Sequence, residues 1–234
     1  MDALITWFGE IHWIAVFQII LIDILLGGDN AVVIALACRS LDPHLRLKGI
    51  IYGAGGAILL RVILIAFAVS VMNIPFLKFV GGLLLLWIGV KLIVPPNEGE
   101  HEVHASKRLW GAVKTIIVAD LVMSIDNVIA IAGAAEQAPG HHQMALVIFG
   151  LLVSVPFILG GSQLILKVID RFPIIVYAGG ALLGWIAGTL IVDDPGIHAH
   201  LPNIPQLHTE GGIIGAVFVL LVALIIKLMK KKKA

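Results

Sequence analysis

Four aspartates lie inside otherwise apolar stretches of the chain: Asp23 and Asp29 in one, Asp120 and Asp126 in another. At the centre of a bilayer each carboxylate costs roughly 2.5–3.5 kcal/mol, about 10–14 kcal/mol together. Such a cost persists only where a cation, a proton, an arginine or a water-filled cavity offsets it. Arg61 is the one strongly basic residue in the middle of the neighbouring apolar stretch. One guanidinium cannot neutralise four carboxylates. If all four converge, a divalent cation plus Arg61 leaves roughly one proton to be held by the cluster. That chemistry is cation binding coupled to proton release.

The aspartates come in a repeated motif. Asp23-Ile-Leu-Leu-Gly-Gly-Asp29-Asn30 is matched 97 residues later by Asp120-Leu-Val-Met-Ser-Ile-Asp126-Asn127. On an ideal helix, residues six apart differ by about 120° in angle and about 9 Å in rise. Asp23 and Asp29 therefore point apart unless Gly27-Gly28 unwinds the helix between them. Ser124 stands at the matching place in the second motif, where bonding back to a carbonyl would bend the helix more mildly. Asp29 and Asp126 are the better pair to hold one ion directly, with Asn30 and Asn127 adding amide oxygens or capping a broken helix. Asp23, Asp120, Ser124 and Arg61 then line the pathway or stand behind the ligands as proton sites and partners. The donors are hard oxygens, which suit Mg²⁺, Ca²⁺ and Mn²⁺. No Cys or His lies beside either motif, against Cu(I) and tight Zn²⁺ binding, and four carboxylates repel an anion. His101, His104, His141, His142, His198, His200 and His208 read as solvated loop residues, and Asp193, Asp194 and Glu210 as weak attractors of cations.

The elements that must position these residues are apolar helices. Of 234 residues 59% are hydrophobic and 13% charged, and the mean hydropathy is +1.04. A soluble domain cannot hide that much apolar surface. This excludes a soluble enzyme, a disulfide scaffold and a disordered chain. Net charge +1 gives no general attraction to nucleic acid, and the single Cys38 excludes an internal disulfide. The start of the chain has no basic segment followed by a small-residue cleavage site, so no cleaved signal peptide is expected. A span needs about 20 apolar residues, and seven stretches qualify: 11–38, 49–72, 75–94, 110–135, 143–166, 172–192 and 211–229. Lys and Arg fall in the loops after spans one, three and five and in the tail Lys230–Lys233, and are missing from the alternate connections. That bias puts the N-terminus outside and the C-terminus inside.

Residues 11–94 and 110–192 read as duplicated three-helix halves, with 211–229 a seventh helix. Gly81-Gly82 with Trp87-Ile88 and Gly179-Gly180 with Trp185-Ile186 repeat at an offset of 98. Three is odd, so the halves cross the membrane in opposite senses. Such inverted repeats are typical of secondary transporters, whose site lies where the halves meet. The expected fold class is thus an all-α polytopic membrane protein, a single transporter domain over 1–234.

Gly27-Gly28-Asp29-Asn30-Ala31 and Ser124-Ile125-Asp126-Asn127-Val128, set in opposed halves, resemble the TerC family of integral membrane proteins. Length and layout are most similar to its YjbE/YkoY branch, over about residues 8–229. The resemblance implies membership of the LysE-like transporter superfamily, a role in manganese export and metal homeostasis, and a metal site at Asp29, Asn30, Asp126 and Asn127. It also implies that Asp23 and Asp120 are further acidic residues of the same pathway. The expectation is a Mn²⁺ exporter of the cytoplasmic membrane that uses protons as coupling ion. Its partners are the cation and the bilayer, and it holds no permanently bound cofactor. Self-association into a homo-oligomer is left open. No nucleophile–base pair or HExxH motif suggests an enzyme. The rival readings are an exporter of cationic amino acids, in which Arg61 would hold the substrate carboxylate, and a non-transporting membrane scaffold for secretion or envelope machinery.

Overall fold

The computed structural model describes residues 13–67, 74–94, 105–136, 143–198 and 206–233. The described residues are helical and contain no strand. In chain order the helices are α1 (Trp13–Leu26), α2 (Gly28–Cys38), α3 (Pro43–Ala66), α4 (Leu77–Ile93), α5 (Ala105–Glu136), α6 (Gln143–Arg171), α7 (Ile175–Val192), α8 (Pro195–His198) and α9 (Leu207–Lys233). A helix lies over each of the expected apolar stretches, with α1 and α2 sharing the first. Among the described residues four helices are long and apolar enough to cross a membrane, or five if α1 and α2, bent by 50° at their junction, make one span.

Local sequence explains the breaks. Gly27 (φ −100°, ψ 6°) separates α1 from α2, so the break that the sequence left open is a one-residue bend: the Gly27 N–H still bonds the Asp23 carbonyl at 2.9 Å. α5 runs unbroken past Ser124. The Ser124 hydroxyl bonds the Asp120 carboxylate instead of a backbone carbonyl. Pro43 opens α3 at a position where its missing N–H removes no helical bond.

The packing repeats itself across the chain. α3 packs on α5, as α1 and α2 pack on α6; α4 packs on α7. Close approaches recur at the same offset. A Cβ on Gly53 would meet Ile116 Cδ1 at 2.5 Å, and a Cβ on Gly150 would meet Ile19 Cγ2 at 2.6 Å. Both residues of one pair stand 97 positions from those of the other. Gly82 likewise lies against Ile191, and Gly180 against Ile93, an offset of 98. α9 is seated on α7 through glycines that face each other's backbone, Gly184 and Gly188 against Gly215 and Gly211.

Two apolar clusters fill the bundle. One gathers Val33, Leu36, Ile50, Leu85, Ile116, Met123, Ile158 and Leu183; the other Val16, Ile19, Ile65, Val128, Ile131, Val147 and Leu151. Arg61, Ser124 and Ser154 each fall, along their own helix, between residues of the two clusters, and Asp23 falls between Ile19 on α1 and Val33 on α2. The buried polar groups thus lie at the seam between two apolar cores. Outward-facing side chains are large and apolar, among them Trp13, Phe17, Trp87, Trp110, Phe157 and Phe218, as a lipid-facing surface requires.

Asp194 fastens one end of the bundle. Its buried carboxylate accepts the N–H groups of Phe76 (3.0 Å), Phe79 (3.1 Å) and Gly196 (2.7 Å). It therefore caps α4 from the segment that follows α7, and holds Phe76 at φ 63°, a left-handed conformation that a bulky residue adopts only under such constraint. Burial raises the Asp194 pKa, but the backbone donors outweigh it and the net value falls below the ordinary 3.8. Asp194 was expected as a solvated attractor of cations; it is instead committed to this cap. Its neighbour Asp193 accepts from His208 Nε2 at 3.1 Å.

Candidate cation site

Four helices bring one buried polar cluster together. Arg61, 2% exposed in the second half of α3, reaches across to two carboxylates. Its Nη1 donates to Asp23 Oδ1 on α1. Its Nη2 donates to Asp120 Oδ1 on α5 at 2.5 Å, and its Nε to Ser124 Oγ at 3.0 Å. The outer oxygens are also satisfied. Ser154 on α6 donates its hydroxyl to Asp23 Oδ2. Ser124 donates to Asp120 Oδ2 at 3.2 Å. Asp23, Asp120, Ser124 and Ser154 are all buried. Buried charges survive when paired and hydrogen-bonded, and here each of the four carboxylate oxygens accepts a hydrogen bond. Its formal charge is −1, since two carboxylates share one guanidinium.

The repeated motifs thus do converge, through their first aspartates. Arg61 is where the sequence places an intramembrane counter-ion, and Ser124 acts as partner to both Arg61 and Asp120. Ser154 was not singled out from sequence. Its signal was weak: a serine two residues before the mid-helix Pro156, where the missing proline N–H already loosens the helix.

Asp29 and Asn30 begin α2 just past the bend. Asp29, half-buried in the first turn, accepts the Asn30 N–H at 2.9 Å. A carboxylate at a helix N-terminus is favoured by the partial positive charge of the unpaired N–H groups. Asp29 is within Coulombic reach of Arg61 and Asp120. Asn30 is 3% exposed, and the oxygen and nitrogen of its amide are buried with no hydrogen-bond partner among the described residues. An amide in that state costs about 1–3 kcal/mol, and its oxygen is a donor that a hard cation takes. On α5, Asn127 is half-buried, while the Asp126 side chain lies outside the described residues. So do the expected histidine pairs 101/104 and 141/142, and His200. Among the described residues no three His, Cys, Asp or Glu side chains gather as a metal-holding group.

Comparison with known proteins is consistent across nearly the whole chain. The model described as "Integral membrane protein TerC family" matches residues 8–234. The chain is 40% identical to the uncharacterized membrane protein YjbE of Bacillus subtilis, over 94% of this chain and 98% of that one. It is 24% identical to the uncharacterized membrane protein YceF of the same organism, over 82% and 76% of the two chains. It is also 24% identical to the UPF0053 inner membrane protein YgdQ of Escherichia coli, over 83% and 87%. No solved structure matches.

Proposed function

The chain belongs to the TerC family of integral membrane proteins, and we propose that it exports a hard divalent cation, Mn²⁺ foremost, across the cytoplasmic membrane in exchange for protons. In this reading seven spans form two inverted three-helix halves plus a final helix, with the N-terminus outside. The carboxylates bind metal when ionised and release it as they protonate. The bacterial exterior is usually the more acidic side, so release there is favoured. Membrane potential opposes exit of a cation by about 2.3 kcal/mol per charge per 100 mV, so export must be coupled.

The observation that carries the reading is the meeting of Asp23 and Asp120, one from each motif, on the buried Arg61 guanidinium. Residues 97 apart would have no reason to meet there unless the two motif helices cross at the centre of the bundle. The mirrored glycine contacts support a duplicated architecture. The unpartnered Asn30 amide beside Asp29 supports an oxygen-rich cation site at the α1–α2 bend. The amino-acid reading is weakened, because the guanidinium it would use to hold a substrate carboxylate is already engaged by Asp23, Asp120 and Ser124.

The test is Mn²⁺ uptake into everted membrane vesicles under an imposed pH gradient, for wild type, Asp29→Asn and Asp126→Asn at matched protein levels. Gradient-driven uptake by wild type, lost in both variants, is the expected result. Wild-type vesicles inert to Mn²⁺, Mg²⁺, Ca²⁺ and lysine would leave the scaffold reading in its place.

A further inference from the structure

We infer that Arg61 is a tethered cation: its guanidinium fills what would otherwise be a second divalent-cation site between Asp23 and Asp120, and so limits the number of ions the chain can hold. Three oxygens accept from it, Asp23 Oδ1 on α1 and Asp120 Oδ1 and Ser124 Oγ on α5, and the other two carboxylate oxygens accept from Ser154 on α6 and from Ser124. The cluster holds six oxygen atoms, three of them on the guanidinium, and hard donors of this kind are what Mn²⁺ or Mg²⁺ takes. All four contributing residues are buried. The occupant is already a cation, yet one that can neither diffuse away nor lose its proton.

The position of Arg61 points the same way. Residue 158, its counterpart 97 positions later, is isoleucine. A single cation therefore serves both copies of the duplicated aspartate, and a second charge of either sign is absent from the matching place. The consequence for cargo number rests on the transport function proposed above; the occupied cage does not.

The experiment counts bound Mn²⁺ per chain by equilibrium dialysis of the purified full-length protein in detergent, with elemental analysis. Arg61→Gln is expected to bind one ion more than wild type. Arg61→Lys, which keeps a cation in the cage, should bind the wild-type number, and Arg61→Gln combined with Asp23→Asn should lose the extra ion. If Arg61→Gln unfolds when metal-free, Mn²⁺ should restore its helical signal at concentrations that leave wild type unchanged. An unchanged ion count in folded Arg61→Gln, or no rescue by Mn²⁺ of an unfolded one, overturns the inference. A wild type that binds no ion while Arg61→Gln binds one would defeat the transport reading and leave this inference standing.

Discussion

The charge of the buried cluster makes an unusual stability prediction. Asp23, Asp120 and Arg61 together carry one surplus negative charge, and all three are at most 6% exposed. Asp23→Asn or Asp120→Asn removes a charge-assisted bond worth about 1.5–3 kcal/mol. The same change relieves the repulsion between two buried carboxylates and leaves a neutral pair, so each single variant should lose less than about 2 kcal/mol. The double variant leaves Arg61 buried without a counter-charge, a loss of about 3–5 kcal/mol for the second step. Unfolding in mixed micelles of increasing SDS fraction, followed by far-UV circular dichroism, gives the four stabilities of the cycle. The double variant should fall below the sum of the singles by roughly 1–3 kcal/mol. Additive losses would show that the three groups do not share one charge balance, and would undo the reasoning built on Arg61.

Further variants probe the frame around that cluster. Gly188→Ala puts a methyl group onto the Gly211 backbone, which cannot rotate aside, so α9 must shift away from α7. The loss should exceed that of Gly53→Ala, whose methyl meets only a side chain, and equal losses would argue against close seating of α9. Gly53→Ala and Gly150→Ala should each cost about 1–3 kcal/mol by overpacking. Ile116→Val should recover part of the first, because the colliding Cδ1 is gone. Ile19→Val should not rescue the second, whose colliding Cγ2 remains in valine. Asp194 has a folded pKa below the ordinary 3.8, so its contribution is present above that value and is lost as pH falls through the folded one. Asp194→Asn should therefore lower the melting temperature at neutral pH, with the gap to wild type closing below pH 3.8. A gap that persists at lower pH would refute the capping role.

Much of this was legible in the sequence, for physical reasons. Apolar runs of span length must become helices in lipid, because each backbone polar group has to be satisfied within its own segment. The helices over residues 43–66, 143–171 and 207–233 follow from that alone. Asp23, Asp120 and Arg61 stood out because charge in such runs is expensive. What was not legible is pairing. Helix geometry places Asp29 and Asp126 as the pair to hold an ion, a meeting that falls on a side chain outside the described residues, and it does not single out the pair that does meet, Asp23 and Asp120 on one guanidinium. The choice is made by Arg61, whose reach from α3 depends on how α1, α3 and α5 cross. Asp194 was misread for a related reason: a carboxylate in a polar loop looks solvated until the N–H groups of a distant helix end arrive beside it.

The repeated contacts and the departure from them at residue 61 belong together. Glycine–isoleucine contacts recur at offsets of 97 and 98, and so do the two aspartate motifs, so these contacts are close to symmetric. A symmetric interface with two carboxylates at its centre would repel itself. A symmetric pair of arginines would restore neutrality, but would bury four charges where three suffice and leave no surplus to attract a cation. One arginine against two aspartates holds the halves together and still leaves the centre negative. Asp29, at the start of α2 and in Coulombic reach of that centre, then has a neighbour that favours a cation over an anion. The departure from symmetry at residue 61 lets a buried, duplicated acidic pair be held by one guanidinium while the centre keeps a net negative charge.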